Sequence, residues 1–158
     1  MRRLLDASIW IAFYRIGELD LLLRLPGLCI TPRGLRELEH PRDDLAARVK
    51  HLLDKSIAEA EAGEAVKTLA WVLQQGQGRL SETDALEIAI ATDASREVVL
   101  YMRDWPAEMA AALAGSAVRT YRQLVEEMEQ EGLIRAEERE ALITSLDEYY
   151  ARSRQRRR

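Results

Sequence analysis

The sequence has few of the residues that build disulfide scaffolds or soft-ligand metal sites. It contains one cysteine, two histidines, four prolines and one phenylalanine among 158 residues. A single cysteine cannot form an internal disulfide, and Cys29 lies in an apolar run, so we expect a buried free thiol. His40 and His51 have no second ligand at zinc-like spacing, and we expect both at the surface.

Long hydrophobic runs are also absent. No segment approaches the roughly 18 consecutive apolar residues of a membrane-spanning helix. The most leucine-rich stretch, residues 19–25, is interrupted by Asp20 and Arg24. Asp6 comes too early for the apolar core of a signal peptide to form before it. These features predict a cytoplasmic protein without membrane association.

Charge is distributed unevenly along the chain. The net charge is −4, but five arginines fall in the last seven residues, so the rest of the chain carries about −9. An acidic body is not typical of a bulk nucleic-acid binder, although a basic end can hold phosphate nonspecifically. The length fits one domain. We predict a single domain over residues 1–150 and a basic, frayed tail over residues 151–158.

Short apolar segments alternate with helical patterns throughout the sequence. Ser8, Thr31 followed by Pro32, and Ser81 are predicted helix N-caps. This alternation favours parallel strands joined by helical crossovers. The predicted fold is therefore α/β, a three-layer α/β/α arrangement with a short parallel sheet of about four to five strands. The predicted strands lie near residues 2–5, 28–31, 98–101 and 117–119.

Four acidic residues from distant parts of the chain are expected at one edge of this sheet. Asp6 follows the first strand and Asp104 follows the strand that begins at Val98, and binding sites in such sheets lie beyond the carboxyl ends of the strands. Asp84 lies in the first turn of a helix, and Glu37 lies in the helix after the second strand. On spacing alone, each can equally be an ordinary turn, cap or surface acid.

Such a group of carboxylates favours a bound cation. Like charges repel, and burial increases the cost, so acidic clusters are stable mainly when a cation neutralises them. Oxygen ligands without histidine or cysteine suit Mg²⁺ or Mn²⁺, which can promote phosphodiester hydrolysis. Glu87 lies one turn after Asp84 and can join the site, but we expect it instead to face solvent or form an ion pair.

Several segments resemble the PIN-domain nuclease family. The first is an aliphatic strand that ends in Asp-x-Ser, the second is a proline-led helix with a glutamate, and the third reads Leu-Ser-x-x-Asp-Ala with an alanine-rich continuation. The fourth is an apolar strand that leads to an aspartate. They lie at residues 4–8, 32–38, 80–91 and 98–104, and the likeness continues through residues 118–134.

The resemblance implies a fold, an activity and a set of site residues. It implies a PIN-like domain that cleaves RNA with Mg²⁺ or Mn²⁺. Asp6, Glu37, Asp84 and Asp104 would be the catalytic acids, with Asp6, Asp84 and Asp104 as metal ligands and Ser8 as a supporting contact.

The resemblance also implies partners. Many small PIN proteins are toxins of the VapC type, which are neutralised by an antitoxin and are usually dimeric. An RNA substrate, a small antitoxin protein and a homodimer are therefore expected. Apolar residues in the early helices also favour a homodimer: Leu21, Leu22 and Leu25.

Arg103 departs from the family pattern. Many relatives have an aspartate or asparagine just before the fourth acid, whereas here Arg103 precedes Asp104. A guanidinium at this position can orient a scissile phosphate, so Arg103 is a candidate substrate-binding residue. It can equally pair with the carboxylates and leave the site without metal. The sequence thus supports a metal-dependent endoribonuclease, with a catalytically silent PIN module that binds RNA or protein as the alternative.

Overall fold

The computed structural model describes residues 1–53, 58–59, 63–76, 80–93, 97–103, 107, 111, 115 and 117–156. The sequence also predicts a short alanine-rich helix from Pro106 to near Gly115, a segment of which only residues 107, 111 and 115 are described. In chain order the elements are β1 (Arg2–Leu5), α1 (Ala7–Arg15), α2 (Leu19–Leu22), β2 (Leu28–Ile30), α3 (Pro32–Glu37), α4 (Leu45–Leu53), β3 (Ala58–Glu59), α5 (Glu64–Gly76), α6 (Glu82–Thr92), β4 (Val98–Tyr101), β5 (Val118–Arg119), α7 (Tyr121–Gln130) and α8 (Ala136–Arg156).

The five strands form one parallel sheet in the order β3-β2-β1-β4-β5. β1 is central, with Arg3 opposite Leu28 on one side and Leu5 opposite Tyr101 on the other. All the carboxyl ends therefore lie at the same edge. The parallel sheet of four to five strands is confirmed. β3 was not predicted because two residues are too few to show the alternating pattern of a strand.

Both faces of the sheet are covered by helices. Successive strand residues point to opposite faces. Leu5 and Val99 accordingly belong to a core cluster with α1, α7 and α8, whereas Leu4, Cys29 and Leu100 belong to a second cluster with α5 and α6. This arrangement is a mixed α/β fold consistent with three layers. Cys29 is a buried free thiol, as predicted.

The helices that carry acids begin where the sequence predicts. Thr31 caps α3 by accepting a hydrogen bond from the Gly34 amide at 3.0 Å, and Pro32 occupies the first turn. Ser81 caps α6 in the same way, with the Asp84 amide 3.0 Å from its hydroxyl. Both caps satisfy amides that lack a partner within the helix, which fixes the first turn of each helix.

The predicted cap of the first helix is wrong by two residues. α1 begins at Ala7, and Asp6 is the N-cap, although its side chain makes no capping bond. The Ser8 hydroxyl instead donates a hydrogen bond of 2.8 Å to Oδ2 of Asp6. The Ser8 hydroxyl therefore bonds to the Asp6 carboxylate and does not cap the helix.

The predicted frayed tail is wrong for residues 151–156, which continue α8. Leu146 and Tyr150 pack into the core and hold the last turns of the helix. Arg152 also donates to the Glu148 carbonyl at 3.4 Å, and basic side chains are favourable at a helix C-terminus. Although α8 has 21 residues, neither it nor any other described helix is apolar enough to cross a membrane.

The leucines that suggested a homodimer belong to the protein's own core. Leu22 and Leu25 are buried, and Leu21 packs against the same cluster. Leu22 and Leu25 are therefore not available to a second copy, and Leu21 is so only in part, so these leucines give little support to the homodimer, which stays a prediction. Trp71 and Val72 of α5 are exposed instead, at 63% and 52% of their surface.

Candidate metal centre

Asp6 lies where the central strand ends. The Asp6 amide donates to the Tyr101 carbonyl at 3.0 Å, which fixes it beside the end of β4. Its side chain is buried and accepts the hydrogen bond from Ser8. The strand pairing therefore places a buried carboxylate at the carboxyl edge of the sheet.

Two acids on α6 meet Asp6. The Ser81 cap places Asp84 in the first turn, and Glu87 lies three residues later on the same face of the helix. One carboxylate oxygen from each of Asp6, Asp84 and Glu87 lies within 4.8 Å of the other two. We call these three residues the acidic triad. The fold thus joins residues almost eighty positions apart in the chain.

Glu87 is the member of the triad that was expected in solvent or in an ion pair. Glu87 is 0% exposed, and neither of its carboxylate oxygens has a hydrogen-bond partner among the described residues. α3 passes so close that a Cβ at Gly34 would lie 3.6 Å from Oε1 of Glu87. The expectation of a solvent-facing or ion-paired Glu87 is therefore wrong. An available signal was the apolar sequence around it, because a helix that is apolar on all sides is buried on all sides.

The electrostatics of the triad follow from burial and mutual repulsion. Burial first, and then the charge of Asp84, raise the pKa of Asp6 from 3.8 to about 7, although the Ser8 hydrogen bond acts in the opposite direction. The pKa of Glu87 is raised well above 4.5, by burial first and then by Asp6, Asp84 and Glu37. Within the described ranges, no basic side chain forms an ion pair with Asp6 or Glu87. These two carboxylates are buried without a compensating positive charge from that part of the protein.

The other two predicted acids have different positions. Glu37 is the last residue of α3 and is exposed. Its negative charge still contributes to the raised pKa values of Asp6 and Glu87, so it lies near the triad without joining it. Asp104 lies outside the described residues. Of the predicted quartet, the structure brings Asp6 and Asp84 into contact distance and leaves Glu37 at the rim.

Arg103 does not form an ion pair with the triad in the part of the chain that the structure describes. Its guanidinium lies over the ring of Tyr150, 4.8 Å from the centroid, and 5.9 Å from the centroid of Tyr121. Cation–π contacts of this kind hold the guanidinium without neutralising its charge. Of the two roles expected for Arg103, orienting a phosphate or pairing with the carboxylates, the second is not the arrangement observed.

The acidic triad fits a hard divalent cation. Two opposite oxygen ligands of Mg²⁺ are roughly 4.2 Å apart, because each Mg–O bond is about 2.1 Å long. The three triad oxygens lie within 4.8 Å of one another, a spacing from which small side-chain movements would bring them to one ion. Both oxygens of Glu87 lack a protein partner in the described residues, and a cation would offset the repulsion among the acids. Oxygen-only ligands favour Mg²⁺ or Mn²⁺ over zinc or copper.

Comparison with known proteins supports the fold. No protein-family model matches the chain, and no curated protein does. Among solved structures, the chain is similar to the crystal structure of PAE2754 from Pyrobaculum aerophilum, with a TM-score of 0.59 and 19% sequence identity. The match covers 82% of this chain and 96% of the Pyrobaculum chain. At this level of identity, the likeness shows a shared α/β fold.

Proposed function

We propose that this protein is a Mg²⁺- or Mn²⁺-dependent endoribonuclease of the PIN type. The observation that carries the proposal is the acidic triad, in which Glu87 is completely buried and has no protein partner for its carboxylate oxygens in the described residues. Burying such a group costs several kcal/mol unless a ligand compensates for it. A cation-dependent reaction explains why the cost is tolerated.

The residues around the triad have distinct roles in this proposal. Asp6 and Asp84 would hold the cation, Ser8 orients Asp6, and Glu87 would complete the ligand set. A bound Mg²⁺ or Mn²⁺ would stabilise charge on the phosphate and lower the pKa of a water molecule. The exposed carboxylate of Glu37 accepts a proton from the attacking water. The water oxygen bonds to phosphorus, the bond to the leaving ribose oxygen breaks, and that oxygen takes a proton from solvent.

The choice of RNA as substrate rests on the resemblance to PIN nucleases in four segments of the sequence. Three of the four acids expected from that resemblance lie directly after β1, at the end of α3 and in α6, and the triad contains two of them. Within this proposal, the protein is the toxin of a toxin–antitoxin pair or a related stand-alone PIN nuclease. A small antitoxin and a second copy of the chain are its proposed partners.

RNA cleavage with matched variants tests the proposal. We expect the purified protein to cleave a single-stranded RNA in Mn²⁺ and to lose this activity in EDTA. Asp6→Asn and Asp84→Asn should each lower the rate at least about a hundredfold, because each removes a ligand of the cation. Glu82→Gln is the control, since Glu82 lies on the same helix but is exposed and pairs with Arg33. Cleavage that survives EDTA or both aspartate variants would contradict the proposal.

The same experiment addresses the alternative of a catalytically silent PIN module. That function predicts RNA or protein binding without cleavage and without Mn²⁺ binding. It rested on Arg103 as a residue that neutralises the acids. Because Arg103 lies on tyrosine rings, no observation in the described residues favours this alternative.

A further inference from the structure

Arg103 is held at the same edge of the sheet as the acidic triad. β4 ends at Tyr101, whose carbonyl accepts the Asp6 amide, and the Met102 amide donates to the Arg119 carbonyl at 3.1 Å. These backbone bonds place residues 101 and 102 between β1 and β5. Arg103 follows immediately, on the side of the sheet where the carboxylates meet.

Two tyrosines hold the guanidinium of Arg103. The rings of Tyr121 and Tyr150 have centroids 4.9 Å apart, and the guanidinium lies near both. Nε of Arg103 is buried and has no hydrogen-bond partner among the described residues. An aromatic contact fixes the position of the guanidinium but leaves its full positive charge, whereas a carboxylate partner would cancel that charge.

Tyr150 connects Arg103 to the metal centre. Its hydroxyl donates to the Ser8 carbonyl at 3.4 Å, and the Ser8 hydroxyl donates to Asp6. Burial first, and then the negative charge of Asp6, raise the pKa of Tyr150, while the positive charge of Arg103 lowers it. The charges of Asp6 and Arg103 therefore both act on the Tyr150 phenol, although no ion pair joins the two residues in the part of the chain that the structure describes.

We propose that Arg103 binds a phosphate of the RNA substrate next to the metal centre, and that Tyr150 and Tyr121 are its positioning residues. This inference rests on the proposed function. A cluster of acids repels the phosphate backbone, so a substrate at this edge needs a positive group beside the cation. A guanidinium offers two parallel N–H donors that match two phosphate oxygens. The two rings, tilted by 47° to each other, hold the guanidinium in place before the RNA arrives.

Equilibrium binding of a labelled single-stranded RNA, measured by fluorescence anisotropy in Ca²⁺, tests the role of Arg103. We expect Arg103→Gln to weaken binding about tenfold or more, because it removes a charge-assisted contact. The slope of log K against log salt should become shallower by about 0.7, the value for one phosphate contact on a single strand. Arg135→Gln is the control, since Arg135 is exposed and pairs with Glu138 before the start of α8. Equal binding and equal slopes for the two variants would overturn the inference.

Variants of Tyr150 test the positioning role. Tyr150→Phe keeps the ring and should bind RNA like the original protein, whereas Tyr150→Leu should fall to the level of Arg103→Gln. The double variant Arg103→Gln with Tyr150→Leu should bind RNA no more weakly than either single variant, because both changes remove the same contact between Arg103 and the phosphate. Additive losses would contradict the positioning role. Thermal unfolding of each variant identifies loss of binding through misfolding, and Arg103→Lys then serves as the milder substitution.

Mn²⁺-dependent cleavage of the same RNA separates this inference from the proposed function. If the original protein neither binds nor cleaves RNA, the proposed function fails, and the inference fails with it. If the original protein cleaves RNA and Arg103→Gln cleaves with an unchanged kcat/KM, the proposed function stands and the role of Arg103 is wrong. A kcat/KM that is lowered about tenfold in Arg103→Gln and in Tyr150→Leu, and is unchanged in Tyr150→Phe, supports both.

Discussion

Two buried glutamates in this protein have opposite surroundings. Glu127 on α7 is 7% exposed, and its carboxylate accepts hydrogen bonds from the Tyr101 hydroxyl at 2.7 Å and from Arg119 at 2.9 Å. Arg3 forms an additional ion pair with it at 3.3 Å. Glu87 on α6 is 0% exposed and has no such partner among the described residues. The same side chain is thus compensated at one position and uncompensated at the other.

This difference separates a structural acid from a candidate ligand. Glu127 joins three strands to α7, since Arg3, Tyr101 and Arg119 belong to β1, β4 and β5 respectively. The charge of Glu127 therefore stabilises the folded protein through these contacts. Glu87 lies within 4.8 Å of two further carboxylates, so its charge opposes folding until a cation binds. Burial alone is therefore a weak indicator of function, and burial without a partner is a stronger one.

The largest expected effect comes from removing the compensated acid. Glu127→Ala should lower the free energy of unfolding by about 3–5 kcal/mol, because it leaves the Arg3 guanidinium buried without its main partner. Urea denaturation measures this loss. Glu131→Ala is the control, since Glu131 also pairs with Arg3, at 3.6 Å, but its side chain is 45% exposed. A loss below about 1 kcal/mol for Glu127→Ala would show that the partners of Glu127 contribute little to stability, and the contrast with Glu87 would then be wrong.

A smaller effect is expected from pH, through Asp6. The pKa of Asp6 is about 7 in the folded protein against an ordinary value of 3.8, so between these values the folded state binds more protons than the unfolded chain. The contribution of Asp6 to stability is therefore most favourable below pH 4 and is lost as pH rises to 7. Asp6→Asn removes this dependence, because asparagine does not titrate.

Urea denaturation in EDTA at several pH values measures the contribution of Asp6. The free energy of unfolding of Asp6→Asn, relative to the original protein, should increase by roughly 3–4 kcal/mol between pH 4 and pH 7.5. Other carboxylates, such as Asp44 and Glu138, have lowered pKa values and act in the opposite direction. They are common to both proteins and cancel in the difference. A difference that does not change with pH would show that Asp6 titrates normally.

Much of the fold could be predicted because local signals and tertiary contacts agree. The caps at Thr31 and Ser81, and the apolar strand before Asp6, are visible within a few residues of sequence. Where tertiary packing determines the local structure, the residues of that segment alone are not enough to predict it. The last turns of α8 are helical because Tyr150 packs into the core, and nothing within the arginine-rich end itself indicates this.

The candidate site could be predicted only in part, for a similar reason. Asp6 and Asp84 follow from their positions at a strand end and in a first helical turn. Glu87 was misjudged because its burial depends on α3, which crosses above it at Gly34. The setting of Arg103 depends on Tyr150, forty-seven positions later in the chain. Contacts between segments that are far apart in the chain cannot be recognised from the sequence of either segment alone.

The smallest expected effect comes from replacing the uncompensated acid. Glu87→Leu should raise the free energy of unfolding in EDTA by about 1–2 kcal/mol, because an apolar side chain of similar volume replaces a buried carboxylate that lacks a partner. The sign is opposite to that of Glu127→Ala. Addition of Mn²⁺ at ten times its Kd should stabilise the original protein by about 1.4 kcal/mol and leave Glu87→Leu unchanged.

Glu82→Gln is the matched control for this last comparison, because Glu82 lies on the same helix with an exposed side chain. It should keep both the original stability in EDTA and the full stabilisation by Mn²⁺. If Glu87→Leu lowers the stability in EDTA, then Glu87 is compensated within the folded protein, as Glu127 is. If Mn²⁺ stabilises Glu87→Leu as much as the original protein, the cation binds without Glu87. In that case Asp6 and Asp84 hold it with other ligands, and the buried glutamate needs a different explanation.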